Sequence, residues 1–284
     1  MMVKLEKDLY ASPMKTVGGN EGDKCNYPTR LDTYGKGCYF NCKYCYAKSL
    51  LDFRKLWNPL KPNKADLKDI IKIVRETPSG SVLRLGGMTD CFQPRESADR
   101  VTYNTIRLLN RKKIHYLIVT KNDMITRREY LEILDKDLAH IQISIPSTED
   151  KVLNFTDNAP SFERRKKAVE TLYEAGFDVS IRCSPLLSKG MNYDKLNNIN
   201  CDKILVEFLR VNSKIHKALK GLVNIDEYTV KENNYRHLPL NRKLELLKRI
   251  CYPQVTVCED VTSHYNYFRE NVNYNTEDCC NLRL

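Results

Sequence analysis

The chain has 284 residues, 42% of them hydrophobic, which is enough for one large domain or two ordinary ones with a substantial core. It has no run of eighteen apolar residues and no apolar stretch in residues 1–15, so the sequence argues against a membrane span and a signal peptide and favours a cytoplasmic protein. The net charge of +11 favours phosphate-bearing partners such as nucleic acids, although lysines spread evenly over the surface would give the same excess.

Strand-like and helix-like segments alternate along most of the chain. Residues 1–30 are polar and irregular and predict an N-terminal lead-in. Short apolar segments rich in β-branched residues then recur, and they predict strands at 30–34, 81–85, 115–120, 140–145, 178–183 and 203–208. The region 31–210 is therefore predicted to be the core domain.

Helical patterns separate these strands. They predict helices at 47–57, 162–175 and 241–250, a helix capped by Ser97, and a capping box formed by Thr126 and Glu129. Such alternation predicts a parallel α/β sheet, and both an open or partial barrel and a doubly wound sheet fit six strands. The alternation fades after residue 210, so residues 211–284 are predicted to be a helical, cysteine-containing extension packed on the core.

Three cysteines lie close together in GCYFNCKYCYA, residues 37–47. Cys38, Cys42 and Cys45 are spaced C-x3-C-x2-C, and cysteines in a reducing compartment indicate metal binding or catalysis rather than disulfides. Neither a four-ligand structural zinc site nor a ferredoxin run has this spacing. Three thiolates on one loop would suit three irons of a [4Fe–4S] cube with the fourth iron open. The alternative is a zinc loop with a distant fourth ligand.

With Tyr44 before the last cysteine, this loop resembles the signature of the radical S-adenosylmethionine (SAM) enzymes. The resemblance implies a partial (β/α)6 barrel and two cofactors, a [4Fe–4S] cluster and SAM. It also implies that an electron from a donor such as flavodoxin or ferredoxin cleaves SAM. The resulting 5′-deoxyadenosyl radical abstracts a substrate hydrogen, while the protein binds, orients and excludes water.

Further segments, in order, resemble the spore photoproduct lyase-like branch, also called DNA repair photolyase-like. They are RLGGMTDCFQPRE at 84–96, IVTKND at 118–123, ISIPS at 143–147, the NAPSFERR region and GFDVSIRCSP at 176–185, within about residues 30–210. The resemblance implies SAM-binding roles for Tyr44, Gly86, Gly87, Met88, Thr89, Asp90, Lys121, Ser144 and Arg182. A helix-start turn, a surface charge and an alternating strand position are the alternatives for Thr89–Asp90, Lys121 and Ser144.

One departure from that branch bears on the reaction. The lyase has a hydrogen-donating cysteine just ahead of its Ser-Asp pair, where this chain has Gly87 or Met88. The nearest thiol, Cys91, lies beyond Asp90 and is either a hydrogen donor or a small buried residue, of which burial is favoured. A relative acting on a different substrate is therefore expected.

The C-terminal segment offers a second group of metal-binding residues. Cys258, His264, Cys279 and Cys280 would suit zinc or a second iron–sulfur cluster if they converged. The alternative, that the tail covers the barrel mouth with its thiols buried, is favoured. Cys25, Cys183, Cys201 and Cys251 are interpreted as packing residues.

Three functions remain open from the sequence. The first is a radical SAM enzyme, a lyase or modifying enzyme, that repairs or modifies a nucleic-acid base or nucleotide. The second is a radical SAM enzyme acting on a peptide or small metabolite. The third is a non-enzymatic, zinc-containing nucleic-acid-binding protein.

Overall fold

The computed structural model describes residues 9–10 and 13–284. The rest of the predicted lead-in, residues 1–8 and 11–12, lies outside the described residues. The strands in the described part are β1 (Leu9–Tyr10), β2 (Met14–Thr16), β3 (Thr29–Leu31), β4 (Tyr34–Gly35), β5 (Asn63–Ala65), β6 (Val82–Leu85), β7 (His115–Thr120), β8 (Ala139–Ser144), β9 (Asp178–Leu186), β10 (Lys203–Phe208), β11 (Val230–Glu232), β12 (Tyr235–His237) and β13 (Gln254–Cys258).

Helices connect most of these strands. In the same described part they are α1 (Gly19–Asp23), α2 (Tyr46–Phe53), α3 (Leu67–Glu76), α4 (Glu96–Asp99), α5 (Val101–Lys112), α6 (Arg128–Leu131), α7 (Asp150–Thr156), α8 (Phe162–Glu174), α9 (Tyr193–Asn197), α10 (Ser213–Ala218), α11 (Leu240–Leu247) and α12 (Thr262–Asn271). Short 3-10 turns occur at Asp123–Thr126, Ser188–Gly190 and Ile225–Glu227. None of the described helices is long and apolar enough to cross a membrane.

One large sheet organises the fold. Its strand order is β13-β10-β9-β8-β7-β6-β3-β2, and every pairing is parallel except that of the edge strand β2 with β3. In a parallel sheet all carboxyl ends lie on one side, so the loops that follow the strands meet there. The register pairs Ser144 with Arg182, which makes these two predicted site residues neighbours across β8 and β9.

The hydrophobic core lies between the sheet and its helices. On α8, buried side chains follow helical spacing at Phe162, Ala168, Val169 and Leu172, and they pack with buried residues of the neighbouring strands. Gly176 follows this helix with a φ of +82°, the left-handed conformation predicted for the residue after its end.

Two predicted features differ from the structure near the N-terminus. The single strand predicted at 30–34 is divided into β3 and β4. The latter pairs with β5, and β5 with β1, in a separate three-stranded sheet. The division falls at Asp32, whose amide donates to Pro13 O at 2.8 Å and whose carboxylate accepts from the Met88 amide at 3.0 Å. The chain leaves the main sheet between Asp32 and Tyr34.

The predicted caps of two helices are wrong. Ser97 lies inside α4, and Thr126 ends a 3-10 turn instead of starting a helix. Helix α5 is capped by the buried carboxylate of Glu96, which accepts hydrogen bonds from the amides of Thr102 at 3.0 Å and Tyr103 at 2.9 Å. A side chain from the preceding helix thus replaces the expected local cap.

The sheet continues into the C-terminal region. Strand β13 pairs in parallel with β10 from Lys203↔Gln254 to Glu207↔Cys258, so residues 211–284 contribute a seventh parallel strand as well as helices. The prediction that the alternation of strands and helices fades after residue 210 was wrong at β13. The domain boundaries at 30 and 210 remain predictions.

Candidate active site

A cavity of about 190 Å³ opens at the carboxyl ends of the parallel strands. Its lining comes from the residues that end or follow β6, β7, β8, β9, β10 and β13, together with the three-cysteine loop. This is where open α/β sheets place their ligands, because the loops after the strands converge there. The cavity is therefore the candidate active site.

The three-cysteine loop runs from β4 to α2 and is held tightly. At Gly37 a Cβ atom would lie 2.0 Å from the carbonyl oxygen of Asn58, so only glycine permits this approach of two backbone segments. Further along, the Lys43 amide donates to Thr156 O at 2.8 Å, and the Asn158 amide donates to Phe40 O at 2.9 Å. The loop is thereby fixed against residues 156–158, and all three of its cysteines line the cavity.

Burial controls the chemistry of these thiols. It raises the pKa of Cys38 to about 12, helped by the nearby charge of Asp90 and opposed by backbone amides of Asp90 and Phe40 that donate to the sulfur. Burial also raises the pKa of Cys42, against the opposing charge of Lys121, and that of Cys45. Ionising three buried thiols is costly without a compensating cation, so this donor set fits a bound metal cluster.

Cys45 has an additional source of stabilisation. It is the N-cap residue of α2, and its sulfur accepts a hydrogen bond from the Lys48 amide at 3.5 Å. The positive end of the helix macrodipole favours negative charge at this position. The start of α2 therefore favours a thiolate at Cys45.

The segment Gly86–Asp90 follows β6 and lines the cavity. Gly86 has a φ of +82°, and a Cβ atom there would lie 2.4 Å from the carbonyl oxygen of Val119 on β7. The Gly87 carbonyl accepts from the Tyr46 hydroxyl at 2.7 Å, and the Thr89 hydroxyl donates to Tyr34 O at 2.6 Å. The structure thus places the predicted residues at the cavity and shows why the first of them is glycine.

Asp90 is hydrogen-bonded within the protein at the edge of the cavity. Its buried carboxylate accepts hydrogen bonds from the Thr120 hydroxyl at 2.7 Å, the Lys121 amide at 2.8 Å and the Phe92 amide at 2.8 Å. Burial nevertheless raises the pKa of this carboxyl. Asp90 thus joins the ends of β6 and β7 while it lines the cavity, and its contact with SAM stays a prediction.

Lys121 lies beside the cysteine loop. Its ammonium is 5.7 Å from the centroid of the Tyr44 ring and lines the cavity. The Tyr44 hydroxyl donates to the buried Asp157 at 2.9 Å, and Asp157 forms an ion pair with Arg165 at 2.7 Å. A fixed aromatic ring thus supports a cation that is placed to attract a ligand carboxylate.

Ser144 and Arg182 also line the cavity, but their side chains are already bonded. The Ser144 hydroxyl donates to Ser184 O at 3.4 Å. Arg182 donates to Gln142 at 2.7 Å and forms an ion pair with Glu207 at 2.8 Å. The guanidinium charge is therefore neutralised within the protein, which disfavours the predicted contact between Arg182 and an anionic group of SAM.

Two other predicted residues lie away from the cavity lining. Cys91 is 1% exposed in the hydrophobic core, as the packing alternative expected, and the cavity lining does not include it. His264 is buried, with its Nδ1 atom 3.0 Å from the ammonium of Lys243, which forms an ion pair with Glu259 at 2.7 Å. His264 therefore does not join the C-terminal cysteines.

Several residues that line the cavity were not predicted from the sequence to be site residues. They include Cys25, Trp57, Arg84, Arg210 and Tyr265. Among the residues the structure describes, the buried Nε1 of Trp57 and Nε of Arg84 have no hydrogen-bond partner, so both are available to a ligand. Arg84 directly precedes the strand end that leads to Gly86, and this position was the signal that could have identified it.

The comparison with known families assigns this architecture. The sequence profile of the Radical SAM superfamily matches residues 33–199, which span the cysteine loop, the Gly86–Asp90 segment and Lys121. The chain belongs to the radical SAM superfamily. Membership implies a [4Fe–4S] cluster, for which the three cavity cysteines are a suitable donor set.

Individual relatives of this radical SAM enzyme are distant. An uncharacterised protein of Methanocaldococcus jannaschii is 27% identical over 161 residues, which cover 53% of this chain and 58% of that protein. The match thus spans somewhat more than half the length of this curated relative. Its function gives no further guidance.

Solved structures share the fold. Spore photoproduct lyase complexed with dinucleoside spore photoproduct is similar with a TM-score of 0.63 at 16% identity, over 88% of this chain and 80% of that chain. A structure titled native anSMEcpe with bound AdoMet is similar with a TM-score of 0.50 at 13% identity, over 77% and 58% of the two chains. These likenesses confirm the partial-barrel fold class predicted from the sequence.

Proposed function

We propose that this radical SAM enzyme repairs or modifies a nucleic-acid base or nucleotide. Cys38, Cys42 and Cys45 would hold three irons of the [4Fe–4S] cluster, and SAM would occupy the adjoining cavity. When bound, the cluster supplies the electron for reductive cleavage of SAM, which provides the oxidant for hydrogen abstraction. The observation that carries the proposal is the convergence of these cysteines with Gly86–Asp90 and Lys121 at one cavity.

The residues around the cysteines would bind and orient SAM. Lys121 offers a cation to the carboxylate of the methionine part, and its backbone is fixed by Asp90. Gly86 and Gly87 line the cavity without side chains, which allows close approach of a ligand to their backbone. Ser144 lies at the end of β8, where its hydroxyl would contact the ribose, so these groups together set the position of SAM against the loop.

Positive and aromatic side chains in the cavity favour a nucleotide substrate. Arg84 has an unpartnered buried Nε within the described residues, and Tyr265 lines the same cavity. Arg210 lies 5.0 Å from the Tyr46 ring centroid and is itself ion-paired with Asp260 at 3.0 Å. Guanidinium groups suit phosphate and aromatic rings suit base stacking. A base in a duplex would have to be extruded to enter.

Two further observations bear on the substrate. The net charge of +11 favours phosphate-bearing partners, and a solved structure of the same fold is complexed with dinucleoside spore photoproduct. Gly87 or Met88 stands where the resemblance would place a hydrogen-donating cysteine, and Cys91 is buried away from the cavity lining. The proposed reaction therefore differs from one that uses a cysteine donor at either place. A reductant such as flavodoxin or ferredoxin would supply the electron. Such reductants would be present in the predicted location, the cytoplasm.

Salt-dependent binding of a single-stranded oligonucleotide tests the substrate class. With about three phosphate contacts, the slope of log affinity against log salt is about −2, so binding weakens roughly twenty-fold from 50 to 200 mM salt. Arg84→Met should reduce the slope by about 0.7. Lys112→Met is the control, because this exposed residue ends α5 at the opposite end of the sheet from the cavity.

The result also separates the alternatives. If the reconstituted enzyme does not bind the oligonucleotide but performs radical chemistry on a peptide or small metabolite, the nucleotide proposal is contradicted. That result would support the alternative of a radical SAM enzyme acting on a peptide or small metabolite. A non-enzymatic zinc protein is disfavoured by membership of the radical SAM superfamily.

A further inference from the structure

Four cysteines outside the three-cysteine loop line the same cavity. Cys258 ends β13, Cys279 and Cys280 lie in the C-terminal segment, and Cys25 follows α1. Cys25 lies more than 230 residues from the other three along the chain, yet all four line the same cavity. The radical SAM cluster needs none of them, so this wall requires its own explanation.

Three of these four sulfur atoms influence one another. The thiols of Cys258 and Cys280 hold the pKa of Cys279 well above its ordinary value. Ligand atoms of Asp278, Cys279 and Cys280 lie within 4.8 Å of one another, and Cys25 interacts electrostatically with Cys258 and Cys280. The adjacent cysteines therefore converge, although side chains of neighbouring residues ordinarily diverge.

Hydrogen bonds on both sides of Cys25 hold it against the other cysteines. Lys24 donates to Asp260 O at 2.5 Å and to the Thr262 hydroxyl at 3.1 Å, just beyond Cys258. On the other side, Asn26 donates to Glu277 O at 2.7 Å. The Cys25 segment is thus tied to both of the segments that carry the other three cysteines.

Asp278 organises the C-terminal pair. Its carboxylate accepts from the Tyr27 hydroxyl at 2.7 Å, from the Cys280 amide at 2.8 Å and from the Leu282 amide at 3.0 Å. These bonds fix the turn that presents both thiols and join it to the Cys25 segment. The carboxylate is therefore a positioning group, and the sulfur atoms are the free donors.

Two guanidinium groups near these cysteines lower the pKa of Cys280, although Arg182 is also paired with Glu207. Arg182 interacts electrostatically with Cys258, Cys279 and Cys280, and Arg84 does so with Cys25 and Cys280. A centre with four thiolate ligands carries net negative charge, which nearby buried cations stabilise.

We propose that Cys25, Cys258, Cys279 and Cys280 bind a second metal centre, separate from the radical SAM cluster and built into the wall of its cavity. Four thiolates select thiophilic metals, namely zinc or the irons of an iron–sulfur cluster, and disfavour magnesium and calcium. Cys25 replaces His264 in the ligand set expected from the sequence. The centre would cross-link an N-terminal segment, β13 and the C-terminal tail around the cavity.

Metal analysis of a variant without the radical SAM ligands tests this proposal independently of the proposed function. The Cys38→Ala, Cys42→Ala, Cys45→Ala variant is purified without a tag under anaerobic, reducing conditions, supplied with zinc or with iron and sulfide, and desalted. We expect about one zinc per chain, or iron with sulfide, to remain bound. Zinc without sulfide identifies a single ion, and iron with sulfide identifies a cluster.

Additional cysteine substitutions in that background locate the centre. Adding Cys279→Ala and Cys280→Ala, or Cys25→Ala alone, should remove at least most of the retained metal, whereas adding Cys251→Ala at an exposed cysteine should leave it unchanged. Circular dichroism verifies that each variant is folded. Cobalt added to the parent variant should give thiolate-to-cobalt charge-transfer absorption. Absence of any retained metal, or retention unaffected by the Cys25 and Cys279–Cys280 substitutions, would overturn the proposal.

Discussion

Replacing Gly86 by alanine should destabilise the protein through a specific backbone clash. The residue has a φ of +82°, and its new Cβ would lie 2.4 Å from the Val119 carbonyl oxygen, which belongs to the neighbouring strand and cannot rotate away. The left-handed conformation costs an alanine about 1–2 kcal/mol, and overpacking adds about 1–3 kcal/mol. A smaller entropy loss on folding offsets about 0.4–1 kcal/mol. The net loss is therefore about 2–4 kcal/mol.

Gly80 provides the matched control. Its φ is +78°, but a Cβ there would meet nothing within 4 Å, so alanine should incur only the conformational cost, about 1 kcal/mol after the entropy offset. Urea unfolding under reducing conditions measures both variants through the fluorescence of Trp57, the single tryptophan of the chain. Equal losses of stability in Gly86→Ala and Gly80→Ala would refute the reasoning, because they would show that β7 yields to the added atom without cost.

Two further predictions concern buried charges. Arg182→Met should cost about 3 kcal/mol in urea unfolding because it leaves the Glu207 carboxylate without its ion-pair partner. Arg128→Met at an exposed pair should leave the unfolding midpoint nearly unchanged, and similar losses in the two variants would contradict this account. Burial alone would raise the pKa of Asp178, but the hydrogen bond from His140 and the nearby ammonium of Lys203 hold this pKa below its ordinary range. Because the ionised form is favoured in the folded state, stability should fall as the pH drops below about 4. Between pH 7 and pH 3, the urea midpoint of unfolding should fall more steeply for the wild type than for Asp178→Asn. An equal fall in the two proteins would contradict this role of Asp178.

The sequence predicted the central strands because their apolar, β-branched segments are continuous. The segments at 115–120 and 203–208 coincide with β7 and β10. Strand β13 was missed because its short QVTVC sequence stands in a polar tail, and only pairing with β10 makes it a strand. Helix α3 was also missed, although its Asp66 cap and buried Ile70 and Val74 are visible in the sequence.

The candidate site was predictable where a local motif carries the chemistry. The spacing of Cys38, Cys42 and Cys45 is a property of one loop, and the loop lies at the cavity as expected. The partners of Arg182 and the approach of Cys25 to Cys280 depend on tertiary pairing between distant segments. The spacing of residues along the chain does not reveal such contacts. From the sequence, Arg182 was therefore interpreted as a SAM-binding residue and Cys25 as a packing residue.

The assignment of the cluster to the three-cysteine loop is tested most directly by reconstitution under anaerobic conditions. Iron and sulfide are counted in the wild type and in the Cys42→Ala variant, SAM and dithionite are added, and 5′-deoxyadenosine is measured. We expect cluster-bound iron and 5′-deoxyadenosine from the wild type, and loss of SAM cleavage in the variant. Full SAM cleavage by the variant, or zinc without SAM cleavage in the wild type, would contradict the assignment of the cluster to this loop.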